Sequence, residues 1–194
     1  MLLPASGYFL LKNPNVQDYA AHKLMIFFSR ELDTKFKVES VDYTMFNKII
    51  LNNLYIEDQR GDSLLTSKKV TGHLKLLDLR NRRLFFNKLH LNHAKIHMHN
   101  DTSRAINIQF LVEALKRKDT TKARMHTRFN EIQISNSEFT YTTNKKAKIG
   151  YGVDFNRINL HNFNIHVENL DADKGKVNLN LSKISFTDKS GFKL

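Results

Sequence analysis

Four similar blocks recur along this chain, and they constrain its fold more than any other feature of the sequence. Counted from an Asn at position zero, each block has Ile or Leu at +2 and +4, Asn or His at +6, and Ile or Phe at +9. The blocks are FNKIILNNLYI from Phe46, FNKLHLNHAKI from Phe86, FNEIQISNSEF from Phe129 and FNRINLHNFNI from Phe155. They start 40, 43 and 26 residues apart, and this uneven spacing argues against solenoid families of fixed period. A weaker fifth copy keeps apolar residues at the same offsets, at Leu179, Leu181, Ile184 and Phe186.

The offsets predict strands with one apolar face. Side chains alternate between the faces of a strand, so +2 and +4 share a face, and so do +7 and +9. The step from +4 to +7 is odd, and a regular strand would therefore put the two groups on opposite faces. Asn or His at +6 predicts a bulge or tight bend that restores the facing. Asn suits this position because it tolerates positive φ better than most residues.

Two helices interrupt the β pattern. Asn13-Pro14 is a good N-cap followed by a good first helical residue, and apolar residues then recur at helical spacing to Leu32. This amphipathic helix (13–33) either covers part of a sheet or lies on a membrane surface. A second apolar stripe predicts a helix near 106–118. We therefore expect a mainly β fold over 34–194: an elongated, curved antiparallel sheet with an N-terminal amphipathic helix and one internal helix.

The predicted apolar face is too large for two helices to cover. An apolar surface of several hundred Å² is rarely left to water, so either more protein or a ligand such as phospholipid acyl chains is expected to cover it. The candidate lining residues are Ile49, Leu51, Leu54, Ile56, Leu89, Leu91, Ile96, Ile132, Ile134, Phe139, Ile158, Leu160, Phe163, Ile165, Leu179 and Leu181.

Composition and motifs argue against an enzyme. The 194 residues contain no Cys, only 7 Gly and 2 Pro, and 20 Asn, so thiol chemistry is excluded and Gly-rich nucleotide-binding loops are scarce. The sequence has no GxSxG, HExxH, Walker or GxGxxG motif. Acidic residues such as Asp58, Asp62 and Asp78 adjoin turns, where Asp usually serves the backbone. We expect neither catalysis nor a cofactor.

Histidines and basic runs are the remaining polar candidates. His90, His93, His97 and His99 are close in sequence, and His97 with His99, helped by Asp101, could hold a metal. A solvated polar face is the favoured interpretation, and no metal is expected. The net charge of +12 suits an anionic membrane surface. It also leaves a soluble nucleic-acid-binding module as the alternative function, but aromatic residues do not interleave with the basic runs Arg80–Arg83, Lys116–Lys118 with Lys122 and Arg124, and Lys145–Lys148.

Residues 1–12 are apolar up to Lys12, yet a membrane-spanning helix needs about 20 such residues. They are either a buried first strand or loose terminus, or the C-terminal end of a membrane anchor that begins upstream.

Several motifs, in this order, resemble the N-terminal region of TamB-like proteins, the translocation and assembly module subunits of the AsmA-like superfamily in Gram-negative envelopes. They are an "L..P.VQ" junction at residues 11–17, an "L.I.D..GD.LL" stretch at 54–65, an "N..FL" helix start at 107–111, a "DF..I.L" element at 154–160 and "SGF" at 190–192. Members of that family are much longer than this chain.

The resemblance implies a single-pass inner-membrane anchor, a periplasmic body and a taco-like β-groove. It implies lipid transport or outer-membrane protein assembly between the two membranes. The partners would be phospholipid acyl chains, the inner membrane and an outer-membrane barrel, and no nucleic acid is expected.

Overall fold

The computed structural model describes residues 13–44, 47–78, 83–100, 106–116, 126–143, 154–173 and 176–188. The predicted terminus at 1–12, the basic residues 80–82, 117–124 and 145–148, Asp101 and the 190–192 motif lie outside the described residues. The helices are α1 (Pro14–Leu32) and α2 (Gln109–Lys116). The strands are β1 (Phe36–Lys37), β2 (Ser40–Thr44), β3 (Lys48–Glu57), β4 (Ser63–Asp78), β5 (Arg83–Asn100), β6 (His126–Thr143), β7 (Arg157–Asp173) and β8 (Lys176–Asp188).

The described strands form one open sheet of eight, so the mainly β prediction is confirmed. The order is β1-β3-β4-β5-β6-β7-β8, and β2 continues the edge beside β3 after β1 ends. One pairing differs from the fully antiparallel sheet that we expected: β5 and β6 run parallel. A parallel neighbour needs a long crossover connection, and the segment between these strands, which contains α2, supplies it.

Residues with a left-handed backbone conformation lie at the positions in the strands where the repeat predicted a bend. The four +6 residues, and no other position common to all four blocks, have positive φ: Asn53 (50°), His93 (52°), Asn136 (51°) and Asn162 (49°). Pairing registers shift beside Asn136 and Asn162. The predicted bend at +6 is therefore confirmed in all four blocks.

The residue after each bend is buried. The +7 side chains are Leu54, Ala94, Ser137 and Phe163, with exposed fractions of 6%, 1%, 1% and 6%. Two of the four are small, and the backbone of Ala94 donates a hydrogen bond to Oγ of Ser137 (3.0 Å). The left-handed residue thus turns the next side chain back onto the apolar face, as the odd spacing requires.

Helix α1 covers the first strands and has the predicted bounds. The side chain of Asn13 accepts a hydrogen bond from the backbone of Asn15, and Asp33 ends the helix in the left-handed conformation. Ala21 is buried, and Phe28 packs on Phe36 with ring centroids 5.0 Å apart. A hydrophobic core therefore lies between α1 and strands β1–β5.

Helix α2 is shorter than the predicted 106–118 segment within the described residues. It contacts α1, β7 and β8. Because α1 contacts β1 and β2, the two helices together connect the first strands of the sheet to the last ones.

Candidate functional site

Paired residues without polar side chains form two rows across six strands. One row runs Ile49, Gly72, Leu89, Ile132, Val167, Leu181, and the next runs Leu51, Val70, Leu91, Ile134, Ile165, Ile184. Residues paired across neighbouring strands present their side chains to the same face. The rows therefore make one apolar face from β3 to β8.

The structure divides the predicted face residues into three groups. The buried ones are Leu54, Ile56, Leu91, Leu160 and Phe163. The half-buried ones are Ile49, Leu51, Leu89, Ile96, Ile132, Ile134, Phe139, Ile158 and Ile165. The exposed ones are Leu179 and Leu181.

Helix α1 covers the apolar face at the first strands of the sheet, whereas the face is open at the last strand. Leu54, Ile56 and Leu91 belong to the core cluster that includes Ala21 of α1, so helix α1 occupies the face there. On the last strand, Leu179 is 50% exposed, Leu181 54% and Ile184 39%. Exposed apolar side chains also occur elsewhere, at Tyr19, Ile26, Leu76 and Phe155, but along the two paired rows the exposed residues are those of β8.

A polar junction joins the β3–β4 turn to the start of α2. The buried Asp58 accepts hydrogen bonds at Oδ1 from the backbone of Arg60 (2.8 Å) and Asp62 (3.0 Å), and at Oδ2 from Nδ2 of Asn107 (3.1 Å). Gly61 has a φ of 86° in this turn, a conformation that favours glycine. Asp58 thus serves the backbone, as its place beside a turn predicted, but it also fixes Asn107, which the sequence did not indicate.

Asn107 continues the hydrogen bonding of β5 where β4 stops pairing with it. Ile96, which pairs with Leu65, is the last residue of β5 that pairs with β4. Beyond that residue, Asn107 donates to the carbonyl of His97 (3.0 Å), accepts from the backbone N–H of His99 (3.0 Å) and donates its own N–H to the carbonyl of His99 (3.0 Å). One residue therefore satisfies three groups at the end of the strand.

Burial and hydrogen bonding act in opposite directions on Asp58. Desolvation by burial raises its pKa, but the hydrogen bonds from Asn107, Arg60 and Asp62, together with the charge of His99, outweigh it and hold the pKa below its ordinary value. Asp58 is therefore ionised at neutral pH. The adjacent cavity of about 260 Å³ is lined by Asp58, Gln59, Arg60, Ile106, Asn107, Gln109, Phe110 and Glu113.

The predicted histidine group does not gather at one point. His97 contacts the hydroxyl of Thr140 (2.8 Å), His90 contacts the hydroxyl of Ser135 (2.6 Å), and His93 is an exposed bend residue. His99 lies instead beside Asp58, with Nε2 3.6 Å from Oδ2. A His97–His99 metal pair is not formed among these residues.

The opposite face of the sheet carries ion pairs. Glu131 contacts Lys88 (2.8 Å) and His166 (3.3 Å). The pKa of Glu131 is lowered, and the hydrogen bond from Lys88 is the largest cause. The pKa of His90 is lowered as well, first by burial and second by the positive charge of Lys88. Lys88 on this face is thus paired with a neighbouring carboxylate.

Among the described residues, no helix has both the length and the hydropathy to cross a membrane. No known protein family matches the chain, and no curated protein is significantly similar to it.

Proposed function

We propose that this chain is a lipid-binding groove segment of an envelope protein, with a binding role and no catalytic one. The observation that carries the proposal is the apolar face that continues to β8 and remains open there. In line with the resemblance to TamB-like proteins, the role would be lipid transport or outer-membrane protein assembly in the periplasm of a Gram-negative bacterium, next to the inner membrane.

The position of the open surface supports acyl chains as the ligand. Leu181 pairs with Val167, and Ile184 pairs with Ile165, so the exposed side chains continue rows that are half-buried on β7. Fully burying one such side chain contributes roughly 1.5–3 kcal/mol. Since Leu179, Leu181 and Ile184 are about half exposed, covering all three would contribute on the order of 3 kcal/mol.

The length of β8 also fits an acyl chain. Strands advance about 3.3 Å per residue, so the 13 residues of β8 extend for roughly 40 Å. Half of a bilayer core is about 15 Å thick. One strand is therefore long enough for an acyl chain to lie along its apolar side.

The test compares two substitutions on opposite faces of β8. Leu181→Asp puts a charge where an acyl chain would lie, and desolvating that charge is costly, so bound lipid should fall several-fold. Thr187→Asp is the matched control, because Thr187 lies on the polar face of β8 and pairs with His161, so the new carboxylate faces no like charge on β7. Phospholipid that co-purifies with each protein is measured by mass spectrometry, together with binding of a fluorescent phospholipid.

Equal lipid in the Leu181→Asp variant and the wild type, or no lipid in the wild type, would reject the proposal. A salt-dependent gel shift of DNA or RNA by a lipid-free wild type would favour the nucleic-acid-binding alternative instead.

A further inference from the structure

We propose that Asp58, Asp62 and His99 form a binding site for a divalent cation of the Zn²⁺ class. Within the described residues, one group of three such side chains brings its possible ligand atoms within 4.8 Å of one another, and it is this one. The proposal does not depend on lipid binding, because it concerns the β3–β4 turn and β5 and not the open face at β8.

The imidazole of His99 gives the first reason to expect a ligand here. Its Nε2 atom is buried and makes no hydrogen bond, and the 3.6 Å to Oδ2 of Asp58 is too long for one. A buried polar atom without a hydrogen bond is costly and calls for an explanation, and the carboxylate of Asp58 offers Nε2 an ion-pair contact only. A cation between Nε2 and the carboxylates would supply the missing partner.

The surroundings of Asp58 give the second reason. Its side chain is fully buried, and two backbone N–H groups and the amide of Asn107 orient it. Such hydrogen bonds to a metal ligand fix its orientation and raise metal affinity. The carboxylate is thus held in place before a cation arrives.

The donor set indicates the class of cation. Zn²⁺ binds imidazole nitrogen and carboxylate oxygen at about 2.0–2.2 Å, which puts ligand atoms of a tetrahedral site about 3.4 Å apart. The 3.6 Å between His99 and Asp58 is close to that spacing. Asp62 is exposed and can rotate to supply the third ligand, with water as the fourth. A nitrogen donor favours Zn²⁺ and related transition metals over Ca²⁺ or Mg²⁺.

A bound cation would tie together three parts of the fold. Asp58 and Asp62 belong to the β3–β4 turn, His99 belongs to β5, and Asn107 links Asp58 to the start of α2. A ligand that binds only the folded state stabilises that state. We therefore assign the site a structural role in holding α2 against the end of the sheet.

The experiment is calorimetric titration of the full chain with ZnCl₂ after treatment with EDTA. The wild type should bind one Zn²⁺ per chain, and its Tm should rise on addition of the metal. Asp62→Asn removes an exposed ligand. It keeps the backbone N–H of residue 62, which donates a hydrogen bond to Asp58, so the variant should fold normally. Its affinity for Zn²⁺ should fall by at least about tenfold. His99→Gln should lose affinity similarly.

His161→Gln is the control, since His161 is an exposed histidine of β7 far from the turn in sequence, and it should bind Zn²⁺ like the wild type. Wild type that binds no Zn²⁺ would overturn the proposal, as would an Asp62→Asn variant with unchanged affinity. If His99→Gln fails to fold, the Asp62→Asn result decides alone.

Discussion

At the scale of single residues, the left-handed bends decide which side chains reach the apolar face. His93 illustrates this, because it is exposed and has a φ of 52°. Strand propensity and backbone conformation make opposite predictions for a substitution by Val: Val favours strands, but a β-branched residue is strained at positive φ. The left-handed conformation costs an ordinary L-residue roughly 1–2 kcal/mol.

We therefore expect His93→Val to lower the free energy of unfolding by roughly 1–2 kcal/mol, and His93→Asn to leave it unchanged or raise it. Urea denaturation measures both. Lys69→Val is the control, because Lys69 is an exposed strand residue without positive φ, and its effect should stay within about 0.5 kcal/mol. A stabilised His93→Val variant would show that the bend is not required.

These bends could be predicted from sequence because the information is local. An odd step between two apolar pairs, with Asn or His at a fixed offset, is visible in each block. The contact between Asp58 and Asn107 could not be predicted in the same way, since 49 residues separate the two and neither side chain is unusual for its local position. In the sequence the two residues belong to separate motifs.

The low pKa of Asp58 predicts a contribution to acid sensitivity. The pKa of the Asp58 carboxyl is lower in the folded state than its ordinary value of 3.8. Such a group contributes its full stabilisation of the fold when the pH is well above 3.8. The stabilisation is lost as the pH falls through 3.8 toward the folded pKa. Asp58→Asn should cost roughly 1–3 kcal/mol at pH 7 and make stability depend less steeply on pH between about 5 and 3.

Urea midpoints measured across this pH range in EDTA would check the prediction. Some slope should remain, because the pKa of Glu131 and of Asp171 is also lowered. Asp18→Asn, at an exposed position of α1, should follow the wild type. An Asp58→Asn profile parallel to the wild type would contradict the assignment.

At the scale of elements, the helix α1 was predicted with its bounds because its signals are short-range: a capping Asn, a Pro at the first position and one apolar stripe. The parallel pairing of β5 and β6 was missed. The signal was present, since a helix between two strands is the usual connection of parallel neighbours. We interpreted that helix as an interruption of an antiparallel series because the repeat itself carries no strand direction.

Asn107 holds α2 to the sheet, and its removal should loosen that helix selectively. Asn107→Ala leaves the N–H of His99 and the carbonyl of His97 without their side-chain partner, which costs roughly 1–3 kcal/mol. Amide hydrogen exchange of residues 109–116 should become about tenfold faster or more. Gln109→Ala, at an exposed position that contacts Glu113, should change exchange little, and equal effects of the two variants would contradict the role of Asn107.

At the scale of the whole molecule, burial is distributed unevenly along the sheet. Buried side chains of the sheet interior include Val70, Leu91 and Ala94 on β4 and β5, and these belong to the core that α1 covers. Within the described part of the chain, β8 is an edge strand that pairs only with β7, and its side chains Leu179, Leu181 and Ile184 are exposed. A region with few buried apolar contacts opens at lower free energy than the core.

Hydrogen exchange should therefore show a gradient across the sheet in the absence of lipid. Amides of β8 that are hydrogen-bonded to β7 should exchange at least about a hundredfold faster than hydrogen-bonded amides of β4 and β5, because β8 can separate without disrupting the core. The comparison is restricted to hydrogen-bonded amides, because the unpaired amides of an edge strand exchange fast in any case.

Adding phospholipid should slow exchange in β8 and leave exchange in β4 and β5 unchanged, since acyl chains would cover Leu179, Leu181 and Ile184. Uniform protection across the sheet would mean that it opens as one unit, and slowing centred on β4 and β5 would mean that lipid displaces α1.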